Sequence, residues 1–166
     1  MILKDRSRKI IWYILSVIFI ILVYLCVQSN ARLFLAPYAK LAGFIWNIPF
    51  EYSADTVYIS ANGAIAITPD CSGAKMFAAL FLISAIGFAP KDLSFKHAAR
   101  SFLESAIKLA ALTFVLTFIR ISLSLKMDYI SNPQLAHNVI SLTIFFGAAC
   151  LTVLYLSKKR GVIYEE

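Results

Sequence analysis

The chain has 166 residues, 60% of them hydrophobic and only 15% charged, with a mean hydropathy of +0.77. Soluble domains run at about 45–50% apolar and about 25% charged residues, so a disordered chain is excluded and an ordinary water-soluble enzyme is disfavoured. Sixteen Lys and Arg against nine Asp and Glu give a net charge of +7. These basic residues gather at the ends of apolar runs, the pattern that orients a membrane protein rather than one that binds nucleic acid.

The first apolar run covers residues 10–28 and follows Lys4, Arg6, Arg8 and Lys9. It is too long for the apolar region of a signal peptide, about 7–15 residues, and lacks a clean small-residue cleavage site, so it predicts a retained membrane helix. Residues 33–50 are long enough to span but contain Pro37, Lys40, Asn47 and Pro49. They read as an amphipathic helix at the outer interface, with Tyr38, Leu41, Ile45 and Trp46 dipping into the membrane. Thr56 to Ser60 and Ala64 to Ile67 each alternate, with Asn62-Gly63 between them, which predicts a β-hairpin. Thr68-Pro69-Asp70-Cys71 then reads as a helix start, with Thr68 at the N-cap and Pro69 at the first helical position. Further spans follow at about 72–89, 105–123 and 135–156. Glu104 and Lys108 form an i,i+4 pair at the inner end of the third span. The expected architecture is an all-α integral membrane protein in one multi-pass domain. It has about four transmembrane helices, with the interfacial helix and the hairpin in an external loop, 29–70.

Orientation follows from the basic residues. Lys4, Arg6, Arg8, Lys9, Lys91, Lys96, Arg100, Lys158, Lys159 and Arg160 share one side of a four-span arrangement. Arg32, Lys40, Arg120 and Lys126 occupy the other, so both termini are expected in the cytoplasm. A crossing by residues 33–50 would reverse every later segment.

Three residues then meet at one external depth. Cys71 begins the second span, where unpaired helix N–H groups favour a thiolate. Lys75, one turn on, could add to this, and Asp70 opposes it. Arg120 ends the third span, and an Arg at depth costs about 2.5–3.5 kcal/mol on the insertion scale; the ordinary alternative is a snorkelling helix-end Arg. His137 opens the fourth span, where capping or interfacial hydrogen bonding would be its ordinary role. A thiol beside an imidazole is a nucleophile–base pair, and a fixed cation can stabilise an oxyanion. Cys26 and Cys150 read as small apolar residues, with a Cys26–Cys71 disulfide as a minor alternative. His97, between Lys96 and Arg100, reads as solvated. No metal or cofactor is expected.

Cys71-Ser72-Gly73, Arg120-Ile121 and His137, in that order and setting, resemble the Cys-Ser-Gly, Arg and His motifs of the exosortase/archaeosortase family. The resemblance runs from about Val57 to Leu156 and is nearest to the short exosortase K type. Thr117 stands where an Asn is frequent in the family, and Ser141 where a Gly is frequent. The resemblance implies a cysteine protease or transpeptidase in the cytoplasmic membrane of a prokaryote. Its substrates would be exported proteins ending in a short motif, a hydrophobic helix and a basic tail. Cys71 would form an acyl-thioester, Arg120 would hold the oxyanion or the substrate, and His137 would move the proton. The acyl group would pass to water or to an amine on a lipid or glycan. Two other classes fit the residues less fully: a non-enzymatic four-helix subunit or scaffold, and a thiol-redox protein using Cys26 and Cys71.

Overall fold

The computed structural model describes residues 2–53, 56–61, 65–87, 95–126 and 133–164. Among the described residues there are five α-helices: α1 (Ile2–Ser29), α2 (Ala31–Trp46), α3 (Ala74–Gly87), α4 (Phe95–Lys126) and α5 (Pro133–Tyr164). Three stretches within them, Lys9–Ser29, Ala99–Lys126 and His137–Lys158, are long and apolar enough to cross a membrane. Their outward side chains, among them Ile14, Leu22, Ile107, Val115, Leu142 and Phe146, are exposed. In lipid such a surface is stable, and the helical backbone satisfies its own polar groups. The protein is thus an all-α protein of membrane-spanning type carrying one small sheet.

α3 is the shortest of the predicted crossings. Its 14 residues rise about 21 Å at 1.5 Å each, against a hydrocarbon core of about 30 Å. It is apolar on nearly every side, and it is the buried centre of the bundle. Met76, Phe77, Leu80, Phe81 and Ala85 are all buried, packed with Ala106, Leu109 and Ala148 of α4 and α5. Phe19, Phe81 and Phe102 meet ring to ring at about 5 Å centroid distances. The Trp12 indole donates to the Ala85 carbonyl at 3.1 Å, in the last turn of α3, where carbonyls lack intrahelical partners.

α1 passes to α2 through Asn30 alone. Ser29 Oγ donates to the Leu25 carbonyl at 2.9 Å and Asn30 Nδ2 to that of Cys26 at 3.1 Å, taking up the last carbonyls of α1. α2 matches the expected interfacial helix in place but not wholly in facing. Leu41, Ile45 and Trp46 are exposed as expected, but Tyr38 is buried, with Ala31, Leu35, Ala39 and Ala42, on the face turned to the protein. The reason is spacing: positions 31, 35, 38, 39 and 42 form one helical stripe, and Tyr38 stacks on Phe114 of α4 at 4.9 Å. Asn47 ends α2 in the left-handed region (φ 52°), which Asn tolerates.

The sheet has three antiparallel strands in the order β1 (Phe50–Tyr52), β2 (Tyr58–Ser60), β3 (Ala66–Ile67). The predicted hairpin is the β2–β3 pair, with Tyr58 opposite Ile67 and Ile59 opposite Ala66. Its Asn62-Gly63 turn lies outside the described residues. β1 was not anticipated, since its three residues offer too short an alternation to signal a strand. Arg32 over the Tyr52 ring (5.4 Å) and the Tyr58 hydroxyl donating to the Arg32 carbonyl (3.3 Å) seat the sheet on α2. At the opposite end, α4 begins at Phe95, ahead of the expected span at about 105–123. There Glu104 pairs with Arg100 at 2.9 Å.

Candidate functional site

β3 leads directly into the reactive segment. Thr68 is extended (φ −93°, ψ 166°), and Pro69 opens a single 3-10 turn, Pro69–Ser72, whose first bond runs from the Cys71 N–H to the Thr68 carbonyl at 2.8 Å. This corrects the expected local structure. Cys71 is not in the first turn of the α-helix; it sits in a separate turn that Gly73 ends at φ 78°. Nor does the Thr68 side chain cap a backbone N–H; its Oγ1 lies 3.7 Å from Cys71 Sγ instead. α3 starts afresh, with the Gly73 carbonyl accepting from Phe77 N–H at 2.8 Å and Ser72 Oγ accepting from Ala74 N–H at 3.3 Å.

The turn is held from two sides. Arg120 Nη2 donates to the Asp70 carbonyl at 3.3 Å. The buried Tyr38 hydroxyl donates to the Ser72 carbonyl at 3.2 Å. Burial pushes the Tyr38 phenol up to about 12, so it is a protonated donor at neutral pH. Gly73 packs directly on α4: a Cβ there would lie 2.3 Å from Thr117 Oγ1 and 2.8 Å from Thr113 Cγ2. Thr117 is therefore a wall against the turn. Lys75 is directed away from the thiol, since its ammonium pairs with Asp70 at 2.6 Å on the exposed surface.

His137 approaches from the start of α5. Its Nδ1 is 3.1 Å from Ser124 Oγ. Cys71, Ser124 and His137 line one cavity of about 170 Å³, walled by Ile121 and Leu125 of α4 and by residues 65–67 of the β3 segment. Arg120 is not among the residues lining it; it stands behind Cys71, with its Nε buried and without a hydrogen-bond partner among the described residues. The three expected residues thus converge at one end of the bundle, but in unequal roles. Cys71 and His137 share a space, and Arg120 holds the backbone one residue before Cys71. A separate cavity of about 650 Å³, lined mainly by α4 and α5, contains none of the three.

The three cysteines are free thiols, so the Cys26–Cys71 disulfide is not formed. The His97 side chain lies outside the described residues. Two contacts escaped the sequence reading. Ser124 had a signal: Thr113, Thr117, Arg120 and Ser124 recur at spacings of four, three and four, a polar stripe along one face of an apolar helix. Tyr38 had none, because a Tyr at a membrane interface is ordinary. No family model matches the chain, and no curated protein or solved structure matches it significantly.

Proposed function

We propose that this chain is a membrane-embedded cysteine transpeptidase or peptidase of exosortase-like type. It cleaves the C-terminal sorting signals of exported proteins at the outer edge of a prokaryotic cytoplasmic membrane. The observation that carries this reading is the shared cavity: a free thiol at Cys71 and an imidazole at His137, oriented through Ser124 Oγ, face one space. In this reading α3 is a fourth crossing, both termini are cytoplasmic, and the cavity opens outward.

The chemistry uses two steps. Cys71 Sγ attacks the scissile carbonyl, the S–C bond forms, the C–N bond breaks, and His137 delivers a proton to the departing amine. Water or an amine on a lipid or glycan then attacks the thioester, losing its proton to His137, and the Cys71 thiol is regenerated. The Arg120 hydrogen bond to Asp70 favours a role in positioning the turn over that of a donor to the oxyanion. The substrate proposed is an exported protein with a C-terminal motif, a hydrophobic helix and a basic tail, drawn to the enzyme within the bilayer.

The test is co-expression with such a substrate, read as conversion to the shorter product and as a thioester on Cys71 trapped for mass spectrometry. Cys71→Ala should abolish conversion, and Cys71→Ser should nearly do so, since an unactivated hydroxyl is a far weaker nucleophile. Cys26→Ala and Cys150→Ala should retain most of it. Full conversion by Cys71→Ala would favour a non-enzymatic membrane subunit, and equal loss in Cys26→Ala and Cys71→Ala would favour thiol–disulfide exchange.

A further inference from the structure

We propose that the free edge of β3 is a docking strand for the substrate, pairing with the extended peptide segment that precedes the scissile bond. This rests on the reading of Cys71 as nucleophile. β3 is the last strand in the order β1-β2-β3, so among the described residues one of its edges is paired and the other is not. The register shows which groups remain. The Ser60 N–H donates to the Ile65 carbonyl at 2.9 Å and the Ile65 N–H to Ser60 Oγ at 3.0 Å, so Ile65 faces β2. Backbone direction alternates along a strand, which makes Ile59–Ala66 a non-hydrogen-bonded pair. The N–H and C=O of Ala66 therefore point away from β2, and no hydrogen bond to either is found among the described residues.

That edge belongs to the reactive cavity. Ala66 lines it together with Cys71 and His137, and the chain runs from Ala66 to Cys71 through one short turn. A donor and an acceptor on adjacent sides of one residue match the backbone of an extended peptide, the mode known as strand addition. Pairing there brings a peptide past the thiol in extended form, with its carbonyls spaced at the pleat. Ile121 and Leu125 wall the same space, so the side chain directed inward is apolar. The occupant is thus an extended, apolar peptide segment. An unpaired strand edge is otherwise an aggregation hazard that proteins cover or blunt.

The experiment uses the purified full chain in nanodiscs, with alkylation of each cysteine mapped by mass spectrometry. The probes are acetyl-trialanyl chloromethyl ketone, its analogues N-methylated at one amide each, and iodoacetamide. With the ketone, the Cys71 S–C bond forms and chloride leaves. At least one N-methylated analogue should alkylate Cys71 about tenfold more slowly than the parent, the effect of losing one or two backbone hydrogen bonds. Ala66→Pro removes the outward N–H but none of the ladder bonds, and should lower the ratio of ketone to iodoacetamide rates at Cys71 about tenfold. If every N-methylated probe reacts like the parent, strand docking is overturned, and the probe series needs no variant to fold. If iodoacetamide finds Cys71 no faster than Cys26, the nucleophile reading itself falls, and docking with it.

Discussion

At Gly73 two constraints coincide. Its φ of 78° disfavours any L side chain, and a Cβ would strike Thr117 and Thr113 of α4. Gly73→Ala should therefore destabilise the protein by about 1–3 kcal/mol, read as a lower unfolding midpoint in detergent. It should also displace the Cys71 turn and lower processing beyond the loss of folded protein. Arg120 poses a different question. Its Nη2 donates to the Asp70 carbonyl, a bond that a Lys ammonium can replace in part. A positioning role predicts that Arg120→Ala loses about 10²-fold in processing rate, the size of loss expected when a reacting group is misplaced by about 1 Å, and that Arg120→Lys recovers much of it. If the planar fork instead grips the transition state, Lys should do no better than Ala. Rates compared at equal protein level decide between them. Thr117 and Ser141 both carry hydroxyl oxygens turned into the protein.

Among the elements, α3 explains how the site is built. It is short and apolar, and α1, α4 and α5 pack around its buried face, leaving Leu82 and Ile86 exposed on the other. That packing fixes the height of the Cys71 turn at its N-terminal end. The opposite end is tied by Trp12 to the Ala85 carbonyl. Trp12→Phe keeps an aromatic ring but leaves that carbonyl unpaired in the core, so it should cost about 1–3 kcal/mol, measured by thermal unfolding in the same detergent. A change below a few tenths would mean that the carbonyl finds another partner. α2 shows where reading by element reaches its limit. Its helical character was legible, but its end was not, since it stops at Trp46 and Phe50 enters β1, and neither was the facing of Tyr38, because both faces of α2 are apolar. One meets α4 and the other does not, and hydropathy alone does not distinguish protein from lipid as a neighbour.

Across the whole molecule, the basic residues and the apolar helices make one connected claim about direction. If both termini are cytoplasmic, a cysteine placed at Asp128 should react with a membrane-impermeant thiol reagent in intact cells, and one placed at Lys96 should not. The reverse pattern would overturn the four-crossing arrangement and with it an outward-facing site. The membrane-spanning character, the approximate places of the long helices, the β2–β3 pairing and the gathering of Cys71, Arg120 and His137 at one end of the bundle could all be read from the chain. Each depends on hydropathy, period or turn chemistry within a short window. What only the tertiary structure decided is the rotation of each helix about its axis. That rotation sends Arg120 to the Asp70 carbonyl rather than into the cavity, brings Ser124 to His137 and carries the Tyr38 hydroxyl to the Ser72 carbonyl. These choices come from side-chain packing between segments far apart in sequence, such as Gly73 against Thr113 and Thr117. A local pattern cannot encode them, because apolar residues facing lipid and apolar residues facing protein have the same hydropathy.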